Sequence, residues 1–275
     1  MATSWADRWF GDYPWQDASS TSWTVHAVLE DTEAALRKSA GRLRSSGQED
    51  GARQVERFAA WARFDLEEPL VARQLYLAVA RLRPIRQPGL LAGQVLEKVM
   101  SLARADRGNV QLVDPHSGAL RIIAQHGFDE KFLDHFAVVA DRGSACGRAA
   151  RRNAQLVITD VVADRGFEPH REIAASSGFR AVQSTPLADW EGRLIGVVST
   201  HYARPYALSA RAMRIIKRYA DLAGQVLAAS SSAAPPDGTS TGSSARPAAP
   251  AVTGAQRSSS TGSPTATWPG STAEP

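Results

Sequence analysis

The chain has one cysteine, Cys146, in 275 residues. A single thiol excludes an internal disulfide framework and any multi-cysteine zinc site. Lysine is scarce as well, with only Lys38, Lys98, Lys131 and Lys217. Arginine carries the rest of the basic charge, and that bias, with abundant alanine, fits a GC-rich bacterial genome. No apolar run approaches the ~20 residues of a spanning helix. The start, Met-Ala-Thr-Ser-Trp-Ala-Asp-Arg, lacks the basic stretch and apolar core of a secretory signal. Nucleophile triads, phosphate loops and glycine-rich cradles are missing. None of the six histidines stands four residues from another, so no helical metal pair forms.

Charge is nearly balanced, with 32 basic and 28 acidic residues and a net charge of +4. A nucleic-acid footprint would need a basic patch, which this balance does not supply. The charges of the last stretch, Asp237, Arg246, Arg257 and Glu274, make no polybasic membrane anchor. A cytoplasmic protein with neither a nucleic-acid nor a membrane partner is expected.

What is present falls into unequal parts. Residues 1–23 hold Trp5, Trp9, Trp15 and Trp23 among polar and small residues without helical or strand period, which reads as a flexible arm. Residues 24–88 read as a helical extension: Thr24–Arg44, Ala52–Phe64 and Leu70–Leu82 carry apolar positions at helical spacing, separated by Ser45-Ser46-Gly47-Gln48 and closed by Pro84 and Pro88. Residues 230–275 are a tail. From 231 onward, 38 of 45 residues are Ala, Gly, Ser, Thr or Pro. Such a composition buries too little apolar surface to offset ordering entropy, so disorder is expected.

Residues 89–229 carry the information. Leu90–Ala105 is an amphipathic helix with Leu91, Val95, Val99 and Leu102 on one face. Asn109–Asp114 and Ala119–Gln125 alternate and form a hairpin around Pro115–Gly118. Short helices at Glu130–Phe136 and Ser144–Arg152, a strand at Leu156–Asp160 and a helix at Glu168–Ser177 follow. A second hairpin, Phe179–Leu187 and Arg193–Tyr202, precedes a long helix, Ser209–Ala228. This order predicts an α+β domain with a largely antiparallel sheet of about five to six strands. The terminal helices would cover one face and the middle helices and loops the other. A small ligand would fit between the sheet and the middle segment.

The run Gly178-Phe-Arg-Ala-Val-Gln-Ser-Thr-Pro-Leu187, followed by Gly192-Arg-Leu-Ile-Gly-Val-Val-Ser-Thr-His201, resembles the terminal hairpin of a GAF domain. Gly143-Ser-Ala-Cys-Gly-Arg-Ala149 and Val157-Ile-Thr-Asp160 are similar to the helix and strand before it in bacterial sensor-kinase GAF domains. The resemblance spans about half the chain. It implies a sensory module with a ligand pocket and a homodimer through terminal helices. No kinase phosphoacceptor helix, ATP-binding segment or three-helix RNA-binding output domain accompanies it, so the signal would pass to a separate protein partner.

The candidate chemistry is sparse. Polar side chains on the second hairpin give Gln183, Thr185 and His201 as expected pocket residues, with Asp160 and Arg180 at the rim. Cys146, at the start of a helix and near Arg142 and Arg148, is a candidate redox-sensing thiol whose pKa those features would lower. The Cys-His pair of bilin-binding GAF domains is absent, since Gly147 follows the cysteine. His126 and His135 are candidate haem ligands, by analogy with GAF domains that hold haem through one histidine. A GAF family that reduces free methionine sulfoxide relies on several cysteines, and one thiol lacks a resolving partner, so no catalysis is expected. The residues name neither a cofactor nor a ligand. They leave a small-molecule sensor and a ligand-free docking scaffold as the two readings, with the reductase a distant third.

Overall fold

The computed structural model describes residues 21–141 and 143–232. Residues 1–20 of the expected tryptophan-bearing arm, Arg142 and the tail from residue 233 lie outside the described residues, whereas residues 21–23 of that arm and 230–232 of the expected tail are helical. The N-terminal helices are α1 (Thr21–Ser45), α2 (Glu49–Glu67) and α3 (Pro69–Ala80). Helices α1 and α2 form an antiparallel pair around the Ser46–Gln48 turn, where Gly47 takes φ +77°. Pro69 opens α3, as proline does well at a first helical position.

The α+β domain begins with α4 (Pro88–Ala103), followed by β1 (Arg107–Val113) and β2 (Leu120–His126). Next come α5 (Glu130–His135), the short β3 (Val138–Val139), α6 (Ala145–Arg152) and β4 (Leu156–Ile158). A 3-10 helix (Arg165–His170), α7 (Arg171–Ser176), β5 (Ala181–Ala188), β6 (Leu194–Tyr202) and α8 (Ala210–Ser232) complete it. The six strands form one antiparallel sheet in the order β3-β2-β1-β6-β5-β4. The central hairpin is β5–β6, and β1 pairs with β6 from the other side, so the second hairpin lies inside the sheet rather than at its edge.

Side chains make the local stops. Asp114 Oδ1 accepts the backbone N–H groups of His116 and Ser117, both at 2.9 Å, and turns β1 into β2. Asp129, Ser144 and Asp164 cap α5, α6 and the 3-10 helix, each accepting from the N–H three residues on. Asn153 ends α6 in the left-handed conformation.

Both sheet faces are covered, and each has its own core. One face receives α4 and α8: Leu91, Val95 and Val99 of α4 pack with Ile216, Ala220, Ala223 and Leu227 of α8 over Val110, Ala181 and Val198. Each buried Leu, Ile or Val among them stabilises the fold by about 1.5–3 kcal/mol. Gly224 lets α8 lie directly on β5, because a Cβ there would come within 2.4 Å of the Ala188 backbone oxygen. Phe64, Leu75 and Val79 join the same core, so α2 and α3 are seated on the domain. The opposite face is covered by α5, α6, the 3-10 helix and α7, through Phe132, Phe136, Ala149, Phe167 and Ala174 over Val182 and Val197.

Candidate functional site

Strand alternation sorts the sheet's polar residues between two covered faces. On β1, Val110 and Leu112 face the terminal helices, which sends Asn109 and Gln111 to the other side. On β6, Val198, Thr200 and Tyr202 belong to the helix side, and Val197, Ser199 and His201 to the opposite one. There, between the sheet and α5 and α6, lies a cavity of about 20 Å³. That is room for about one water molecule. Its polar wall is Asn109, Gln111, Ser199 and His201 from the sheet and Ser144 from the α6 cap; Cys146 and three phenylalanines close it.

The polar wall is incompletely paired. Ser199 Oγ and Ser184 Oγ are 2.7 Å apart and satisfy each other. Gln111 Nε2 reaches the Phe136 carbonyl at a long 3.4 Å. Gln111 Oε1 and His201 Nδ1 are buried without a hydrogen-bond partner among the described residues. Such groups cost roughly 1–3 kcal/mol each when left unmet. His201 sits among Phe128, Phe132 and Phe179, at ring distances of 4.9, 5.7 and 4.7 Å. Burial, aided by the positive charge of Arg107, pushes its pKa down to about 3, so its ring is neutral and keeps an acceptor or donor nitrogen available.

The residues singled out from sequence are dispersed. His201 lines the cavity. Gln183 and Thr185 lie on the other face, buried beneath the terminal helices and bonded to each other. Gln183 Oε1 also accepts from Thr200, and Thr185 from Gln155. Asp160 and Arg180 hold each other in a two-point ion pair, at 2.7 and 3.1 Å, away from the cavity wall. His126 is exposed at the end of β2. His135 is exposed on α5 and its Nε2 meets His170 Nδ1 at 2.9 Å.

Cys146 does line the cavity, but the expected direction of its acidity is reversed. The thiol is buried, donates to Ser144 Oγ at 3.6 Å, and burial pushes its pKa up to about 11. Arg148 does not offset this, because it is paired with Asp164 at 2.8 Å. Nearby, Asp141 is buried in part, which opposes ionisation, yet His170 and the N–H groups of Ser144 and Gly143 hold it well below the usual carboxylate range. Its distance to His170 Nε2 is 3.4 Å, and the alignment falls short of a hydrogen bond.

Sequence reasoning missed Asn109 and Gln111, and passed over Ser199 among the second hairpin's polar residues. The alternation of Asn109-Val-Gln-Leu shows that Asn109 and Gln111 share a face, but only the sheet order shows that this face is covered.

Comparison with known proteins agrees with this architecture. The family model of the GAF domain matches residues 90–228. No curated protein matches the chain. Among solved structures, the GAF domain of a phosphoenolpyruvate-protein phosphotransferase from Coxiella burnetii is 12% identical, with a TM-score of 0.51 over 59% of this chain and 95% of that one. The corresponding GAF domain from Acinetobacter is 13% identical, with a TM-score of 0.48 over 59% of this chain and 95% of that one. A free methionine-R-sulfoxide reductase from Neisseria meningitidis, solved with its substrate, is 18% identical, with a TM-score of 0.48 over 58% of this chain and 89% of that one. Identities this low speak to fold alone. With the family match covering half of its length and the six-stranded sheet in place, the chain belongs to the GAF domain family.

Proposed function

We propose that this protein is a sensory GAF module that binds a small polar molecule in the cavity between the sheet and α5–α6 and passes the signal to a separate protein. The observation that carries the reading is the pair of buried, unpartnered atoms, Gln111 Oε1 and His201 Nδ1, on the wall of one cavity. Natural cores rarely leave two such groups together unless something meets them. A ligand larger than one water requires α5 to move outward, since Phe132 and Phe136 close the cavity from that helix. No chemistry is assigned to the module: a thiol with its pKa near 11 is a poor nucleophile, and the sequence has no second cysteine to resolve it. The same burial disfavours Cys146 as a redox sensor.

The strands that wall the cavity back onto α8, and α8 is bonded to α2 and α3. In this reading the helices of residues 24–88 are the transmission element. A cytoplasmic location fits the absence, among the described residues, of any helix long and apolar enough to cross a membrane. Homodimerisation would use the surfaces of these helices, because part of α8 is already covered by α2 and α3 of the same chain.

The small cavity and its phenylalanines favour one competing reading, a filled-core docking scaffold. Native mass spectrometry of the full chain purified from cells separates the two. A noncovalent small-molecule adduct on the wild-type chain that disappears in Gln111→Leu supports the sensor. A bare mass on both chains supports the scaffold.

A further inference from the structure

A second, larger cavity of about 440 Å³ lies on the other side of the molecule, where α2 meets the β5–β6 turn and α8. That volume falls within the usual range for small-ligand pockets. Its wall is polar and carries charges of both signs, and most of them are already paired. Asp50 is bonded to Arg53, Asp221 to Lys217 and the Trp61 Nε1, and Glu191 lies 3.3 Å from Arg193.

Arg57 is the charge left over. Its Nη2 donates to the Trp190 carbonyl, and its Nε is buried without a partner. Among the described residues no carboxylate lies within ion-pair distance of it. The guanidinium is nonetheless fixed in place. It lies 5.8 and 5.5 Å from the rings of Phe58 and Trp61 and rests against Gly192, where a Cβ would come within 2.5 Å of Nη1. Gly192 also takes φ +88°, a left-handed conformation that favours glycine in the turn that receives Arg57. Burial of the guanidinium outweighs the attraction of Asp221 and Asp189, which act on it without bonding it, and lowers its pKa. A half-buried, immobilised guanidinium facing a cavity is a ready partner for an oxyanion.

We propose that the cavity at this joint binds a small monoanion, a carboxylate or a phosphate, through Arg57. The paired acids around it limit the ligand to one negative group. Gln54 on the wall supplies neutral hydrogen-bonding groups for the remainder, as does the amide oxygen of Asn153, whose Nδ2 already donates to the Gly192 carbonyl at 2.8 Å. Because Arg57 belongs to α2 and the Trp190 carbonyl and Gly192 that it meets belong to the β5–β6 turn, such a ligand fastens the N-terminal helices to the sheet. The site is independent of the cavity on the opposite sheet face.

The test uses the full chain and thermal unfolding followed by tryptophan fluorescence. Inorganic phosphate and acetate are titrated separately against chloride at matched ionic strength. The expected result is a saturable rise in Tm with at least one of them, with Arg57→Gln weakening the apparent affinity about tenfold or more. Arg83→Gln, which removes an exposed cation elsewhere, retains the wild-type response. A response to phosphate alone or acetate alone identifies which oxyanion the site takes. Gln54→Trp narrows the cavity while keeping Arg57, and is expected to weaken the effect even if Arg57→Gln fails to unfold cooperatively. Absence of a saturable rise with either anion overturns the proposal, as does an undiminished response in Arg57→Gln or Gln54→Trp.

Discussion

Ser184 Oγ and Ser199 Oγ lie 2.7 Å apart across the β5–β6 pair, each buried and each satisfied by the other. On the same sheet face, Gln111 Oε1 and His201 Nδ1 have no partner among the described residues. The contrast locates the strain in the domain. On this sheet face Ser184 and Ser199 pair with each other, and Gln111 Oε1 and His201 Nδ1 stand unpaired on the cavity wall.

The first prediction concerns Gln111. Leucine has a similar size and removes the unmet carbonyl oxygen at the cost of one long hydrogen bond. Gln111→Leu is expected to raise the stability of ligand-free protein by about 1 kcal/mol. Urea denaturation after exhaustive dialysis reads it. A loss of 1 kcal/mol or more would mean that the Gln111 oxygen is met in solution, as by a tightly held water.

Stability should fall in mild acid, and His201 should be a principal cause. Its folded pKa of about 3 lies below the ordinary 6.5, so the unfolded chain binds the extra proton between those values. Stability is therefore complete above about pH 6.5 and is lost progressively as pH falls toward 3. His135 is displaced in the same direction, by partial burial and by its neighbour His170, and adds a smaller share. Between pH 7 and 4.5 the His201 contribution is about 2 kcal/mol. In His201→Leu the denaturation midpoint should vary much less across that range. An equal pH dependence in wild type and variant would mean that His201 titrates normally in the fold.

The same face explains what could be read from the chain beforehand. The amphipathic period of Leu91, Val95 and Val99, the Asp114–Gly118 turn and the Asp189–Gly192 turn each act locally, so the helices, both hairpins and the layer order follow from sequence. The two-residue β3 has no local signature and exists because Leu120 and Arg121 of β2 pair with it. The pocket residues depended on register. Gln183, Ser184 and Thr185 are adjacent, and the alternation says they split between faces without saying which face holds the cavity. The structure gives Gln183 and Thr185 to the terminal helices and Ser184 to the cavity side. Cys146 shows a related gap. Its place at a helix start is legible, but the burial that reverses its acidity comes from residues far along the chain, such as Phe167 and Val182.

That burial makes Cys146 a sensitive reporter. Raising the thiol pKa from 9.0 to about 11 lowers the thiolate fraction at neutral pH about a hundredfold. The thiol should react with a disulfide reagent at least about ten times more slowly in the native chain than in denaturant, since the greater nucleophilicity of a less acidic thiolate offsets part of the lost thiolate fraction. Outward movement of α5 on ligand binding would expose it, so the rate should rise when the sheet cavity is filled by anything larger than water. Native reactivity equal to that of the unfolded chain would remove the burial argument.

The last prediction concerns how the N-terminal helices hold the domain. Arg218 of α8 is 5% exposed, and Asp65 of α2 accepts from it at 3.3 and 3.1 Å. Tyr76 of α3 bonds to both, and the rings of Trp61 and Tyr76 flank the guanidinium at 4.9 and 5.3 Å. Asp65→Ala removes the counter-charge of a buried cation and is expected to cost about 3 kcal/mol. Glu68 makes an equally direct pair with Arg211, but that arginine is exposed, and Glu68→Ala should cost much less than Asp65→Ala. Combining Asp65→Ala with Arg218→Leu should recover much of the loss, because the orphaned charge goes with it. Urea denaturation of the four chains measures all three terms. Equal costs for Asp65→Ala and Glu68→Ala would mean that apolar contacts such as Phe64, Leu75 and Val79 seat α2 and α3, and that the buried charge network contributes little to joining them to α8.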